Sequence, residues 1–226
     1  VAGNIRAAPM GNNPAFLQRY FQNMLVLNGV NSETNSHDDG TRAHATGMLA
    51  MNYPNLSELF ASVHGKNLPM PWLSAGGMST SVGLAPAAPM PDGNSFRTLL
   101  SPNSASATND FMKAGDIQKV LAARTERVKA QAASNLVPRA QLVNAQFDSA
   151  SNSRALLARV SDFLPATFDN AAHVGLVAAQ AGITSTLQFS SGGFDGHGQL
   201  ANSYAQSLPR LTDLVDYIIT KAGTMG

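Results

Sequence analysis

The segment that decides the predicted fold runs from Ile183 to Ile219 and reads ITSTLQFSSGGFDGHGQLANSYAQSLPRLTDLVDYII. Its first residues, Ile183–Phe189, are rich in β-branched side chains and partly alternate, which predicts a strand. A glycine-rich loop follows over Gly192–Gly198. From Leu200 onward, apolar residues recur every three or four positions and predict an amphipathic helix, in which Pro209 predicts a kink or a division into two segments. A strand, a glycine-rich loop and a helix in succession indicate an α/β fold.

Other parts of the chain are predicted to add strands to this fold. Met24–Val30 is a continuous apolar run, which is typical of a buried strand in a parallel sheet. Leu68–Leu73 predicts a short strand, which Pro69 and Pro71 restrict to the edge of the sheet or to an extended segment outside it.

Periodic apolar residues also predict several helices. The first covers Asn55–His64, and its apolar face comprises Leu56, Leu59, Phe60 and Val63. Two more follow apolar stripes over Ile117–Val128 and Leu156–Leu164, and a fourth covers Phe168–Ala181.

The fold class that we predict is α/β, with a central, largely parallel sheet flanked by helices. Residues 1–226 are interpreted as a single α/β domain. Within it, residues 76–109 are rich in Gly, Pro, Ser and Asn and predict a loop-rich excursion, and residues 110–182 predict a helical portion. Because the chain starts at Val1 and ends soon after a strong helix, we interpret it as a fragment of a longer chain.

The composition limits the classes of function. Charged residues make up 13% of the chain and the formal net charge is +1, so the clustered positive charge that nucleic-acid binding requires is missing. The sequence has no cysteine, which excludes a thiol nucleophile, a disulfide framework and cysteine-ligated metals. No run of about 18 apolar residues is present, so no membrane span is predicted. A surface solvated by amides and hydroxyls more than by charges favours an exported protein.

Asp195 and His197 are the first candidates for chemistry. They stand two residues apart in a turning loop, so both side chains can face one metal ion, and the flanking glycines let the backbone approach a ligand. The alternative is a tight turn in which Asp195 caps a helix that begins near Gln199.

The second candidates are Ser36, His37, Asp38 and Asp39, in a polar loop that follows the first predicted strand. His37 and Asp38 are suited to bind a divalent ion, and Ser36 could act as a nucleophile that a metal activates. The alternative is a solvated loop whose aspartates form turns before a helix. The other three histidines are predicted to be structural or surface residues: His44, His64 at a helix C-terminus, and a half-buried His173.

Two of these stretches carry a family resemblance. The segment Gly192-Gly193-Phe194-Asp195-Gly196-His197-Gly198-Gln199, between a strand and a long helix, resembles a motif of bacterial exported proteins with a twin-arginine-type signal. That motif reads Gly-Phe/Trp-Asp-Thr-His followed by Gln or Asn. The Asn28–Gly47 region resembles the family's Ser-His loop, carried here by Ser36, His37, Asp39 and Gly47.

The resemblance implies a specific chemistry. The family has no established function and is grouped with the alkaline phosphatase and sulfatase superfamily, which implies a divalent metal (Zn, Mn, Ca or Mg) at the ends of strands. It also implies hydrolysis of phosphate or sulfate esters, with Asp195, His197, His37 and Asp38 as metal ligands and Ser36 as nucleophile. Family members usually begin with a strand and a Gly-Gly-x-Asp-Gly-type loop and finish with an Asp-His pair, and neither is in this sequence. We therefore expect these 226 residues to be inactive alone.

Two hypotheses for function remain open. The first is a periplasmic or extracellular metal-dependent hydrolase of small phosphate or sulfate esters. The second is a non-catalytic extracellular structural or surface-assembly protein, either a homo-oligomer or a partner of another exported protein. A serine esterase that pairs Ser36 with one of the five histidines ranks third.

Overall fold

A computed structural model describes residues 2–7, 13–27, 29–90, 113–134, 136–152 and 171–225. The backbone divides into two compact units. The first unit comprises Val1–Asn55, Gly76–Met78 and Phe189–Gly226, and the second comprises Leu56–Ala75 and Ser79–Gln188. Whether the whole chain acts as one domain stays a prediction.

The first unit is built from helices and extended segments. Its helices are α1 (Asn13–Tyr20), a short 3₁₀ helix (Phe21–Asn23), α2 (His37–Thr46) and α7, the last helix of the chain (Leu200–Met225). Helix α1 packs against α7. There Arg19 Nη1 and the Tyr20 hydroxyl both donate to Asp216 Oδ1, at 2.7 and 2.6 Å.

The second unit holds the sheet. Its helices are α3 (Leu56–His64), α4 (Ala114–Ala132), α5 (Pro138–Asn152) and α6 (Ala171–Gln180), and its strands are β1 (Trp72–Ala75), β2 (Ala87–Pro89) and β3 (Thr186–Phe189, whose last residue belongs to the first unit). The strand order is β2-β1-β3, and β1 runs parallel to β2 with Trp72 opposite Ala87. The predicted α/β class is confirmed as a small three-stranded parallel sheet flanked by helices.

Strand β1 supplies the centre of the core. Trp72 is fully buried and packs with Ala61 of α3 and with Ala85, and Ala87 lies against this cluster. The edge position predicted for a strand over Leu68–Leu73 is therefore wrong. The reason is that both prolines precede the paired residues, so neither removes a hydrogen-bond donor from the sheet.

Helix α6 confirms the helix predicted over Phe168–Ala181 for its described part and lies deep in the second unit, whereas residues 168–170 lie outside the described residues. Residues 172–178 are all buried, which explains why this helix is apolar on every side. A Cβ on Gly175 would come within 3.1 Å of Leu187 Cδ2, so glycine lets α6 approach β3 closely. The prediction that His173 is half-buried is wrong, because the histidine shares this burial and is 7% exposed.

The strand predicted over Met24–Val30 is wrong. Met24–Leu27 is an extended segment outside the sheet, and Leu25 and Leu27 are 84% and 70% exposed. Met24 and Val26 instead line an apolar groove beside α7. A continuous apolar run does not reveal its own partner, and here alternate residues face an adjacent helix where a parallel sheet was expected.

Helix α3 confirms the helix predicted over Asn55–His64, but a different face of the helix is buried. The four residues of the predicted apolar face are all largely exposed. Glu58 and Ala61 are buried in their place. The helical period was read correctly, but periodicity cannot show that a carboxylate is buried with hydrogen-bond donors around it.

The remaining helical predictions have mixed outcomes. Helix α4 covers the stripe over Ile117–Val128, whereas the stripe over Leu156–Leu164 lies outside the described residues. Helix α7 is continuous through Pro209, so the alternative of two separate segments is wrong.

Residues 76–90 of the predicted loop-rich excursion include strand β2, and the rest of the excursion lies outside the described residues. Among the helices that the structure describes, none combines the length and the apolar character that crossing a bilayer requires.

Candidate metal centre

Helix α2 positions the first histidine of the site. Ser36 is its N-cap residue, and the Ser36 Oγ accepts a hydrogen bond from the Asp39 N–H at 3.3 Å. The polar stretch predicted as a loop therefore ends at Ser36, and His37 is the first helical residue. Gly47 closes the helix with φ +74°, a conformation that glycine adopts without strain. The serine and glycine thus fix both ends of the helix that carries His37.

The two aspartates after His37 lie in the first turn of α2, where their negative charge interacts favourably with the helix dipole. The Asp39 carboxylate accepts from Arg42 Nη1 at 2.7 Å, and the same Arg42 nitrogen also donates to the Leu49 carbonyl. Asp39 is therefore engaged within its own helix.

The loop before α7 carries the other two candidates, and α7 holds it in place. The Ser207 hydroxyl donates to the Gly193 carbonyl at 2.8 Å, and Ser207 is buried. Gly193 has φ +91°, and a Cβ there would overlap Ser207 Oγ, so a larger residue would displace the loop. Next to it, the rings of Phe194 and Tyr204 meet edge to face at 5.6 Å. Asp195 and His197 therefore sit on a segment attached to the helix at two points.

His37, Asp195 and His197 converge in the first unit. Asp195 Oδ1 lies 2.8 Å from His197 Nε2, and Asp195 Oδ2 lies 3.5 Å from His37 Nε2. The two imidazole rings meet edge to face with centroids 5.9 Å apart. One ligand atom from each residue lies within 4.8 Å of the other two, and all three side chains are more than half exposed.

This geometry brings together three of the four predicted ligands. Asp38 does not belong to the cluster that the described residues form, although it is adjacent to His37. Asp195 directs its carboxylate at the two imidazoles, and the Gln199 N–H at the start of α7 bonds to the Gly196 carbonyl. This bond forms a turn just before α7, and the alternative role of Asp195 as a cap of that helix stays a prediction.

The donor set is suited to a transition metal. Two imidazole nitrogens and one carboxylate oxygen match the ligands of zinc and of other transition metals that bind imidazole. Calcium and magnesium prefer sites made of oxygen ligands alone. Of the predicted metals, Zn therefore fits best, because Mn, Ca and Mg are better suited to oxygen ligands. Three protein ligands on an exposed surface leave coordination positions for water or substrate, as catalytic sites require.

The other histidines lie elsewhere. His44 is in the last turn of α2, and His64 is the last residue of α3, where it packs against Phe60 with ring centroids 4.3 Å apart. His173 is buried in α6. None of the three belongs to the metal-ligating group found among the described residues.

Glu58 is a buried carboxylate that the sequence patterns did not single out. Its Oε1 atom accepts from the Ser81 hydroxyl and from the backbone N–H groups of Gly83, Leu84 and Ala85, and its Oε2 atom accepts from Val82. Burial raises the pKa of Glu58, but the hydrogen bonds from Ser81 and from the backbone lower it by more than burial raises it. The pKa of Glu58 therefore lies below its ordinary value. In the sequence, a buried role for Glu58 is indicated only by its position between apolar residues of the predicted helix.

Comparison of the chain with known protein families, with curated proteins and with solved structures gives no match. A role for His37, Asp195 and His197 therefore has to be argued from their donor chemistry and their geometry.

Proposed function

We propose that this chain belongs to an exported, metal-dependent hydrolase of phosphate or sulfate esters. In this proposal, His37, Asp195 and His197 are metal ligands. The observation that carries it is the approach of two imidazole nitrogens to the two oxygens of one carboxylate, from segments far apart in the sequence. The resemblance of both segments to one exported family supports the same assignment.

The exposure of the cluster argues against a purely structural role. Ion pairs between exposed side chains contribute only about 0–1 kcal/mol to stability. The three side chains are exposed by 73%, 53% and 79% for His37, Asp195 and His197, so the pairs add little to folding. A loop that is attached to α7 at two points nevertheless directs Asp195 and His197 towards His37. An arrangement with this order and little stabilising value is typical of a binding site.

The chemistry follows from the ligands. A bound divalent ion supplies positive charge beside the ester oxygens, where negative charge develops during hydrolysis. Both imidazoles present their Nε2 atoms to the Asp195 carboxylate, so the three candidate ligand groups face a common point. The carboxylate also offsets one of the two charges that a divalent ion would bring.

Ser36 remains our candidate nucleophile. Its oxygen accepts the Asp39 N–H at the N-terminus of α2, and both the hydrogen bond and the helix dipole favour negative charge on that oxygen. It directly precedes His37 in the sequence. These features support attack by Ser36 on an ester held at the neighbouring site.

Metal binding is the direct test of the proposal. We expect the 226-residue chain to bind one Zn²⁺ by isothermal titration calorimetry, and His37→Ala to weaken binding at least tenfold. This magnitude is a lower bound, because losing even an outer-shell partner costs about 10–100-fold in metal affinity. His44→Ala is the matched control, since His44 lies on the same helix outside the cluster.

Two outcomes would contradict the proposal. One is no bound zinc or manganese; the other is an equal loss of affinity in both histidine variants. If metal were absent and the chain formed a stable homo-oligomer, the non-catalytic assembly role would replace it. Hydrolysis of p-nitrophenyl phosphate and p-nitrophenyl sulfate is then measured on the longest natural form of the protein, with each metal added.

Comparison of Ser36→Ala with Ser36→Asp separates the role of Ser36 as a helix cap from its role as a nucleophile. Losing an N-cap hydroxyl costs about 1 kcal/mol, which corresponds to a fall of about 2–4 °C in melting temperature for a chain of this size. Ser36→Asp is the matched variant, because aspartate also caps helices but has no hydroxyl. We expect Ser36→Asp to keep the melting temperature, measured by circular dichroism, and to lose hydrolysis in the natural protein. Full hydrolysis by Ser36→Asp would exclude the serine as nucleophile.

A further inference from the structure

An apolar groove lies beside α7 in the first unit. It has a volume of about 940 Å³, near the upper end of the range of about 300–1,000 Å³ for small-molecule sites. Its walls come from α1, from the extended segment after it and from α7, and they include Phe16, Leu17, Met24, Val26, Leu208 and Leu211. The exposed apolar run in the extended segment is thus partly explained, because two of its residues form one wall of the groove.

Three of the six polar side chains that line the groove already have partners. The Tyr20 hydroxyl donates to Asp216, and the Thr212 hydroxyl to the Leu208 and Pro209 carbonyls. Asn13 is buried and also has a partner. An occupant therefore finds apolar walls and few groups that could satisfy its own polar atoms. This favours a hydrocarbon chain over a peptide, because a peptide backbone buried there would leave N–H and C=O groups without partners.

The groove adjoins the segment that carries Asp195 and His197. Leu200 lines the groove, and it lies so close to Gly196 that a Cβ on the glycine would come 2.9 Å from Leu200 Cδ1. Tyr204 also lines the groove and packs against Phe194. Groove residues thus lie against Phe194 and Gly196, the two residues that flank Asp195. A ligand in the groove can therefore lie beside the segment that carries Asp195 and His197.

The charge of the groove indicates the sign of the ligand. Arg6 is the charged side chain among the described residues that line it. Arg19 and Asp216 nearby form an ion pair with each other. The lining therefore has a positive balance, which favours an anionic amphiphile over a cationic one.

We propose that the groove binds the linear hydrocarbon chain of an amphiphilic phosphate or sulfate ester. Its anionic head then lies at His37, Asp195 and His197. The position of the head depends on the proposed function, whereas the binding of the chain depends on the groove alone. The natural substrate class is then a long-chain alkyl or acyl ester.

The test is a chain-length series. Hexyl, octyl, decyl and dodecyl phosphate are titrated below their micelle concentrations into the 226-residue chain, with and without Zn²⁺. We expect affinity to rise up to about fourfold for each added methylene, which is the equivalent of about 0.8 kcal/mol per buried CH₂. Dodecyltrimethylammonium, with the same chain and a cationic head, is expected to bind at least tenfold more weakly than dodecyl phosphate.

Two α7 variants locate the binding. Ala201 is exposed and lines the groove, so Ala201→Trp is expected to fill the groove and to reduce dodecyl phosphate affinity at least tenfold. Gln206 is also exposed on α7 but does not line the groove, so Gln206→Trp is expected to change little. Zinc binding should be retained in both variants.

The failures can be told apart. Affinity that does not change with chain length, or that Ala201→Trp leaves intact, overturns the groove proposal even when zinc binds normally. Chain-length dependence that persists without any zinc binding supports the groove and removes only the proposed enzyme. A dimer, seen by light scattering, that Ala201→Trp dissociates overturns the proposal in favour of a second copy of the chain as the occupant.

Discussion

Replacing Glu58 by alanine is expected to destabilise the second unit by about 3–5 kcal/mol, because it removes a fully buried carboxylate that accepts five hydrogen bonds. The substitution leaves the Ser81 hydroxyl and four backbone N–H groups of residues 82–85 without their acceptor. A donor that stays buried without a partner costs about 1–3 kcal/mol, and Ala85 is the buried residue among these donors. For a chain of this length, the expected fall in melting temperature is about 6–20 °C.

The chain contains its own probe for this experiment. Trp72 is its single tryptophan, and it is buried against Ala85, whose N–H donates to Glu58. Tryptophan fluorescence during urea unfolding therefore reports on the same region. Glu126→Gln is the matched control, because Glu126 is exposed and paired with nearby Lys129, and its loss should cost less than about 0.5 kcal/mol. Equal unfolding midpoints for the two variants would contradict the role of Glu58.

The same carboxylate predicts the direction of a pH effect. Since the pKa of Glu58 is lower in the folded protein than in the unfolded chain, its contribution is fully present above the unfolded pKa. The contribution is lost as the pH falls from there through the folded pKa. Acid should therefore destabilise the wild type more than Glu58→Ala, so that their unfolding midpoints converge as the pH decreases. Midpoints that stay equally far apart at low pH would show that the carboxylate charge is not responsible.

Asp195→Asn is expected to reduce the affinity for Zn²⁺ by at least about a hundredfold, the upper end of what loss of even an outer-shell partner costs. Asparagine keeps the shape of the side chain but loses the negative charge. The Asp195 carboxylate is also the group that both imidazoles of the cluster face. The variant thus removes a ligand and the group that orients the other two ligands.

Asp38→Asn is the informative control, because Asp38 was predicted as a ligand and lies in the first turn of α2, outside the cluster. Its removal should cost only about 0.3–1 kcal/mol of helix stability through the dipole. Zinc affinity should change by less than about threefold, since a charge that does not bind the ion acts through solvent. If Asp38→Asn loses more affinity than Asp195→Asn, the ligand set that we propose is wrong.

The candidate site could be predicted only in part. His37, Asp195 and His197 were recognisable as candidate ligands from residue type, and the glycines that flank Asp195 and His197 added a local pattern. The proximity of His37 to Asp195 required the tertiary structure, since segments so distant in the sequence carry no local signal of contact. The separation of Asp38 from the cluster also required it. Adjacent helical residues project in different directions, and the helix start at His37 was read as a loop.

Local patterns in the chain were sufficient for the helices α3, α4, α6 and α7 and for strand β3. Apolar period, terminal glycines and β-branched runs act within a few residues and need no distant partner. Which side of α3 is buried, where Met24–Leu27 lies and which strand is central depended on the tertiary structure. Burial is a property of two surfaces, so a segment alone cannot specify it. Glu58 shows this most clearly, because a carboxylate becomes a core residue only where another loop brings five donors to it.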